Sequence, residues 1–134
     1  MSYITNDEQM VLRIRKNLLK LELLYSRIEK QSDTELEDGI DGLALTQCIT
    51  NLFSYSSRIN DDYIAKQLSL LSSGRTVRVC QITYSNHDVI SWGMVKNTCQ
   101  KILQNITTEL LEGCLEKLSE ENKNVKDYTI SNFS

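Results

Sequence analysis

Between residues 11 and 28 one series of apolar side chains recurs at steps of three and four: Val11, Ile14, Leu18, Leu21, Tyr25, Ile28. Steps of 3, 4, 3, 4, 3 place all six on one face of a helix and cannot be met by a strand, whose faces alternate every second residue. Thr5-Asn-Asp-Glu8 precedes this run with the spacing of a capping box, so the predicted helix covers about residues 6–30. The chain of 134 residues has no proline and five glycines. A β-sandwich needs many turns, so long helices with short connections suit this composition better. At this length one domain, residues 1–134, can bury a core of its own.

The same stepping recurs downstream. Residues 31–41 read as an acidic polar loop, with Asp41 placed to cap the next helix. There Leu45, Cys48, Ile49, Leu52 and Phe53 make an apolar face. Asn60-Asp-Asp62 restarts a short helix with Ile64, Leu68 and Leu71, and Ser72-Ser-Gly74 ends it. Residues 75–90 are locally ambiguous. Thr76 to Tyr84 is rich in β-branched residues, yet Val77, Cys80 and Tyr84 step 3 and 4. A lone strand would leave its backbone groups unpaired, so a helix is the reading that fits the rest of the chain. Trp92, Val95, Cys99, Ile102, Leu103 and Ile106 form the next stripe, with Ser91 as N-cap and Lys96, Asn97, Gln100, Lys101 and Gln104 on the polar side. Gly93 lies just inside that helix, where propensity disfavours it. It marks either a close approach by another chain segment or an ordinary core helix with an unimportant glycine. After Thr107 as cap, Leu110, Leu111, Cys114, Leu115 and Leu118 give a last stripe. Residues 119–134 read as at most one short helix, with 122–134 a loosely ordered tail offering Val125, Tyr128, Ile130 and Phe133 as docking points.

Charge and special residues narrow the function. The net charge of −3 argues against nucleic acid. Residues 31–62 carry seven acids against Arg58 alone, whereas 63–101 carry Lys66, Arg75, Arg78, Lys96 and Lys101 against Asp88. A basic side could dock an acidic partner or could be plain solvated surface. No stretch approaches the ~18 apolar residues of a membrane span, and the N-terminus lacks the pattern of a signal peptide, so a cytoplasmic protein without a membrane anchor is expected. Cys48, Cys80, Cys99 and Cys114 fall on apolar faces with no Cys-x-x-Cys spacing and a single His, the pattern of reduced, buried thiols with no metal and no cofactor. The sequons at Asn105 and Asn132 are chance occurrences in such a protein. An enzyme built on His87, Asp88 and a cysteine is conceivable, but a nucleophilic thiol must be exposed and near its base.

The segment Asp88-Val-Ile-Ser-Trp-Gly-Met-Val-Lys96 resembles the BH1 motif of the Bcl-2 family, usually Asn-Trp-Gly-Arg-(Ile/Val)-Val. The order of a long first helix, an acidic loop and then second, third and fourth helices is similar to that family too. The resemblance implies an all-α, Bcl-2-like bundle of six to seven helices around a central apolar helix at about 91–106. It departs in several places. Met94 stands where the family has the Arg that pairs with the Asp of a bound BH3 helix; Arg75, Arg78 and Lys96 are the available replacements. Ser91 stands for Asn, the second helix lacks Leu-x-x-x-Gly-Asp, and the chain stops about where a BH2 motif would begin. A small, tailless chain of this kind looks like the viral homologues of iridoviruses or poxviruses. The resemblance then implies an inhibitor of apoptosis in host cytoplasm that sequesters BH3 helices, Bim first and Bak or Bax next, in a hydrophobic groove. Its candidate groove residues are Arg78, Ser91, Gly93, Met94, Lys96 and Asn97, and helical periodicity adds Ile49, Leu52, Phe53, Ile64, Leu68 and Tyr84 as wall positions, each of which reads equally as core and about half of which are expected to touch a ligand. A second reading keeps the fold without a working groove and assigns inhibition of innate immune signalling by surface contacts. A homodimer could form through the broad face of the first helix, where Leu12, Leu19 and Leu23 add apolar surface, or through the groove itself.

Overall fold

Thr5 starts the first helix as the spacing predicts: its hydroxyl accepts from the backbone N–H of Glu8 at 3.2 Å. The computed structural model describes residues 5–85 and 91–133. Among them the chain forms seven α-helices and one 3₁₀ turn: α1 (Asn6–Ile28), α2 (Asp33–Asp38), α3 (Ile40–Ser57), α4 (Asp62–Gln67), the turn (Ser69–Ser72), α5 (Gly74–Ser85), α6 (Trp92–Asn105) and α7 (Thr108–Phe133). The 75–90 ambiguity resolves to helix over 74–85, and Thr76, Val79 and Cys80 are buried there.

α1 and α3 run antiparallel. Asn6 Nδ2 donates to the Arg58 carbonyl at 3.0 Å, the Cys48 thiol contacts the Asn17 carbonyl at 3.5 Å, and Arg27 meets Asp41 at 4.0 Å. Their shared seam holds Ile14, Leu18, Leu21, Leu45, Ile49 and Leu52, all buried, and it is the most extensive helix–helix contact in the molecule. α2, α5 and the 3₁₀ turn also lean on α3, while α6 and α7 lean on α1. This corrects the expectation that α6 is the central helix. A helix surrounded on all sides must be apolar all round, and α6 leaves Asn97, Gln100, Lys101 and Gln104 in solvent. Among the described residues the largest helix–helix contact is that of α1 with α3, not one made by α6.

Two further expectations are corrected. The acidic stretch 31–41 is not a loop. Ser32 and Glu35 make a full capping box at its start, and Leu36, 1% exposed, anchors the short helix α2 to the core. Asp41 is not a cap but lies in the first turn of α3, whose N-cap is Gly39; its carboxylate accepts from Gln31 Nε2 at 3.1 Å. The backbone of α7 continues to Phe133 as one helix rather than stopping near Ser119. No glycine or proline between 114 and 133 interrupts it, and Lys117 and Glu121 pair one turn apart at 3.0 Å. The docking residues expected in the tail have side chains outside the described residues.

Caps account for the remaining junctions. Asp61 accepts from the Ile64 N–H and Ser91 from the Met94 N–H, while Thr107 accepts from the Leu110 N–H. The Asp7 carboxylate accepts from the N–H groups of both Asn60 and Asp61 at 2.9 Å, which ties the start of α1 to the α3–α4 link. No helix among the described residues is long and apolar enough to cross a membrane.

Candidate functional site

The first turn of α6 has two sides with opposite character. On one side Trp92, 4% exposed, packs on α3 at Gly42. A Cβ at residue 42 would sit 2.6 Å from Trp92 Cη2 and 2.9 Å from the Leu36 carbonyl oxygen, so only glycine fits. The indole Nε1 donates to Glu37 Oε1 at 3.1 Å. One turn on, Lys96 Nζ donates to the Gln31 carbonyl at 2.7 Å. Trp92 and Lys96 together fasten α6 to the corner where α1, α2 and α3 meet. The close approach that the sequence suggested at Gly93 is therefore at Gly42, and it is Trp92 that approaches.

On the other side Gly93 is exposed, and a Cβ there would meet none of the described residues within 4 Å. Gly93, Met94 and Asn97 of α6 face Gly74 and Arg78 of α5 across a surface depression of about 460 Å³. Arg78 is exposed and has no ion-pair partner among the described residues. Ser91, exposed at the rim of the turn, serves α6 as its cap. The depression has an apolar element in Met94, a hydrogen-bonding side chain in Asn97 and one cation in Arg78. It offers two glycines where another backbone can come close. Such a surface can hold a helix or an extended segment bearing an acidic residue.

The structure thus brings together Arg78, Gly93, Met94 and Asn97 of the expected set and adds Gly74, which the sequence reading took only as a helix stop. It separates the others. Ile49, Leu52, Ile64 and Leu68 have no exposure at all and belong to the core rather than to a groove wall. Their strict helical periodicity reports burial, and burial here is against α1 and the 3₁₀ turn. Phe53 is half-buried against the same core. Lys96 is committed to Gln31 and so is not a replacement for the family Arg. The side chains of Tyr84 and Arg75, and residues His87 and Asp88, lie outside the described residues.

Missed altogether were Gly42 and Glu37. Gly42 was recoverable, since it continues the buried stripe of α3 by steps of 3, 4, 3 and 4 to Leu45, Ile49, Leu52 and Ser56. A glycine inside a buried stripe signals a large neighbour, and the chain's one Trp is the natural candidate.

All four cysteines are buried and unpaired, and burial raises each thiol above its usual range. Cys99, on the closed side of α6, is pushed up to about 12. No group of metal-ligating side chains occurs among the described residues. Comparison with known proteins returns no match, whether by family, by curated sequence or by solved structure.

Proposed function

We propose that the depression between α5 and α6 receives an amphipathic helix, and that the chain inhibits apoptosis by sequestering the BH3 helix of a pro-apoptotic protein in host cytoplasm, Bim before Bak or Bax. One observation carries this reading: Gly93 and Met94 of the Trp-Gly segment share a surface depression with Arg78, an exposed cation with no ion-pair partner among the described residues. Gly93 leaves room for a ligand backbone. Arg78 supplies, from the neighbouring helix, the positive charge that Met94 does not. A ligand helix spanning several turns would also need apolar pockets, and Ile64 and Leu68, both fully buried, can provide them only if the 3₁₀ turn and the short helix before it move.

The test is titration of a labelled Bim BH3 peptide into the purified protein, beside Bak, Bad and Noxa peptides. Low-micromolar or tighter binding is expected (a binding free energy of about −8 kcal/mol). Gly93→Glu, placed where nothing crowds the new side chain, abolishes binding while the helical spectrum is retained. A folded protein that binds none of the peptides refutes this reading.

A second reading, inhibition of innate immune signalling through surface contacts, is favoured by the complete burial of Ile49, Leu52, Ile64 and Leu68, which leaves no long apolar groove open among the described residues. It predicts no peptide binding, together with loss of signalling inhibition when Arg78, Asn97 and Lys101 are replaced by alanine.

A further inference from the structure

A second depression, of about 440 Å³, lies at the far end of α6, between α1 and the α6–α7 junction. Its lining is mainly aliphatic, with Leu18, Leu19, Leu103 and Leu111, and it carries Arg15 at one end of the α1 wall and Glu22 at the other. Leu19 is 57% exposed and Leu23, one turn further on, is 70% exposed. Two solvent-facing leucines one turn apart beside an apolar depression form a face that water does not favour. Neither Arg15 nor Glu22 has an ion-pair partner among the described residues.

The positions of these charges identify what covers the face. Arg15 and Glu22 are seven residues apart, two turns of helix and roughly 10 Å along α1. Their midpoint falls between Leu18 and Leu19, the apolar centre of the face. A two-fold axis through that midpoint, perpendicular to α1, lays a second α1 antiparallel on the first. It brings Arg15 of each copy opposite Glu22 of the other, twice, with the Leu19 side chains at the centre. An isologous contact needs a surface complementary to itself, in which residue i meets j and j meets i. This face has that property in both apolarity and charge. Parallel pairing would instead set Arg15 on Arg15 and Glu22 on Glu22. We infer that the α1 face centred on Leu19 is the interface of a two-fold symmetric homodimer of this chain.

This inference does not rest on peptide binding. The dimer face uses Leu103 and Ile106 at the end of α6, whereas the α5–α6 depression uses Gly93, Met94 and Asn97 at its start. The dimer therefore leaves that depression open in both copies.

The test is sedimentation equilibrium on the full chain at tens of micromolar. The wild type is expected to sediment as a dimer, and Leu19→Glu, at an exposed site that does not perturb the helical spectrum, as a monomer. Arg15→Glu and Glu22→Arg each place like charges together twice and weaken the dimer on the order of tenfold or more. An equimolar mixture of these two variants regains dimer as a heterodimer, because one chain then carries two acids and the other two bases. A monomeric wild type overturns the inference. So does a dimer indifferent to Leu19→Glu, or a mixture of the charge variants that forms no heterodimer.

Discussion

Gly42 and Gly93 flank the same tryptophan and have opposite surroundings. Gly42 in α3 is buried, and any added carbon would collide with the Trp92 ring and with the Leu36 carbonyl. Gly93, next to Trp92 in the chain, faces open space above the α5–α6 depression. One glycine is there because the fold leaves no room for more, and removing it must move a rigid ring or the backbone. The other has no close neighbour among the described residues, and its side of α6 is the side on which the proposed partner would sit. Trp-Gly is thus two devices side by side, a clamp and an opening.

The largest effect should come from breaking the clamp. Trp92→Ala removes a buried indole from its seat on Gly42 and should cost about 3–5 kcal/mol of stability, read as a fall in the urea midpoint with little change of slope. If instead the loss is below about 1 kcal/mol, the tryptophan does not hold α6 to α3.

Alkaline pH attacks the same closed side. Burial raises the Cys99 pKa to about 12 from 9.0. The folded state therefore keeps a proton that the unfolded chain gives up. The stability contributed by this thiol is complete below pH 9 and is lost as pH rises from 9 towards 12. In that window each pH unit should cost about 1.4 kcal/mol from this group. Cys99→Ala should flatten part of the alkaline decline in unfolding midpoint, although it lowers stability at neutral pH. An unchanged alkaline slope in that variant would show that the closed side is open to water.

A smaller effect isolates the polar half of the clamp. Glu37→Ala leaves the Trp92 ring on Gly42 and removes the carboxylate that accepts from its Nε1. The expected loss is about 1 kcal/mol. In a double-mutant cycle, Glu37→Ala should have less effect in the Trp92→Phe background than in the wild type. Full additivity would mean that the indole and Glu37 do not interact.

The repeating units of the fold were written plainly in the sequence. α1, α3, α6 and α7 follow from apolar steps of three and four, and Thr5, Ser91 and Thr107 act as the caps their positions suggest. What the periodicity does not encode is which helix faces which. α6 holds the only Trp, yet that Trp reaches α3, and the largest helix–helix contact among the described residues is between α1 and α3. The helix α2 was hidden by its acidic composition, although Ser32-Asp-Thr-Glu35 is a capping box and Leu36 an anchor. For the candidate depression, Gly93 and Met94 come from the Trp-Gly segment and Asn97 from the polar side of the same helix. Arg78 was legible only as a charge without an address, since its neighbours come from the α5–α6 packing. Ile49, Leu52, Ile64 and Leu68 are buried, and periodicity alone did not decide between core and groove wall because a helical stripe looks the same in either place.

The smallest shifts carry the most direct test, because their signs differ. Gly42→Ala and Gly93→Ala make the same chemical change, and in a helix alanine is better than glycine by up to about 1 kcal/mol. At residue 42 overpacking against Trp92 and the Leu36 carbonyl should outweigh that gain, with a net loss of about 1–2 kcal/mol. At residue 93 nothing opposes it, and stability should rise by about 0.5 kcal/mol. Paired urea unfolding of the two variants beside the wild type is the measurement to make. A midpoint that falls for Gly42→Ala and rises for Gly93→Ala supports one closed and one open side at the start of α6. A fall for Gly93→Ala, or no fall for Gly42→Ala, contradicts it.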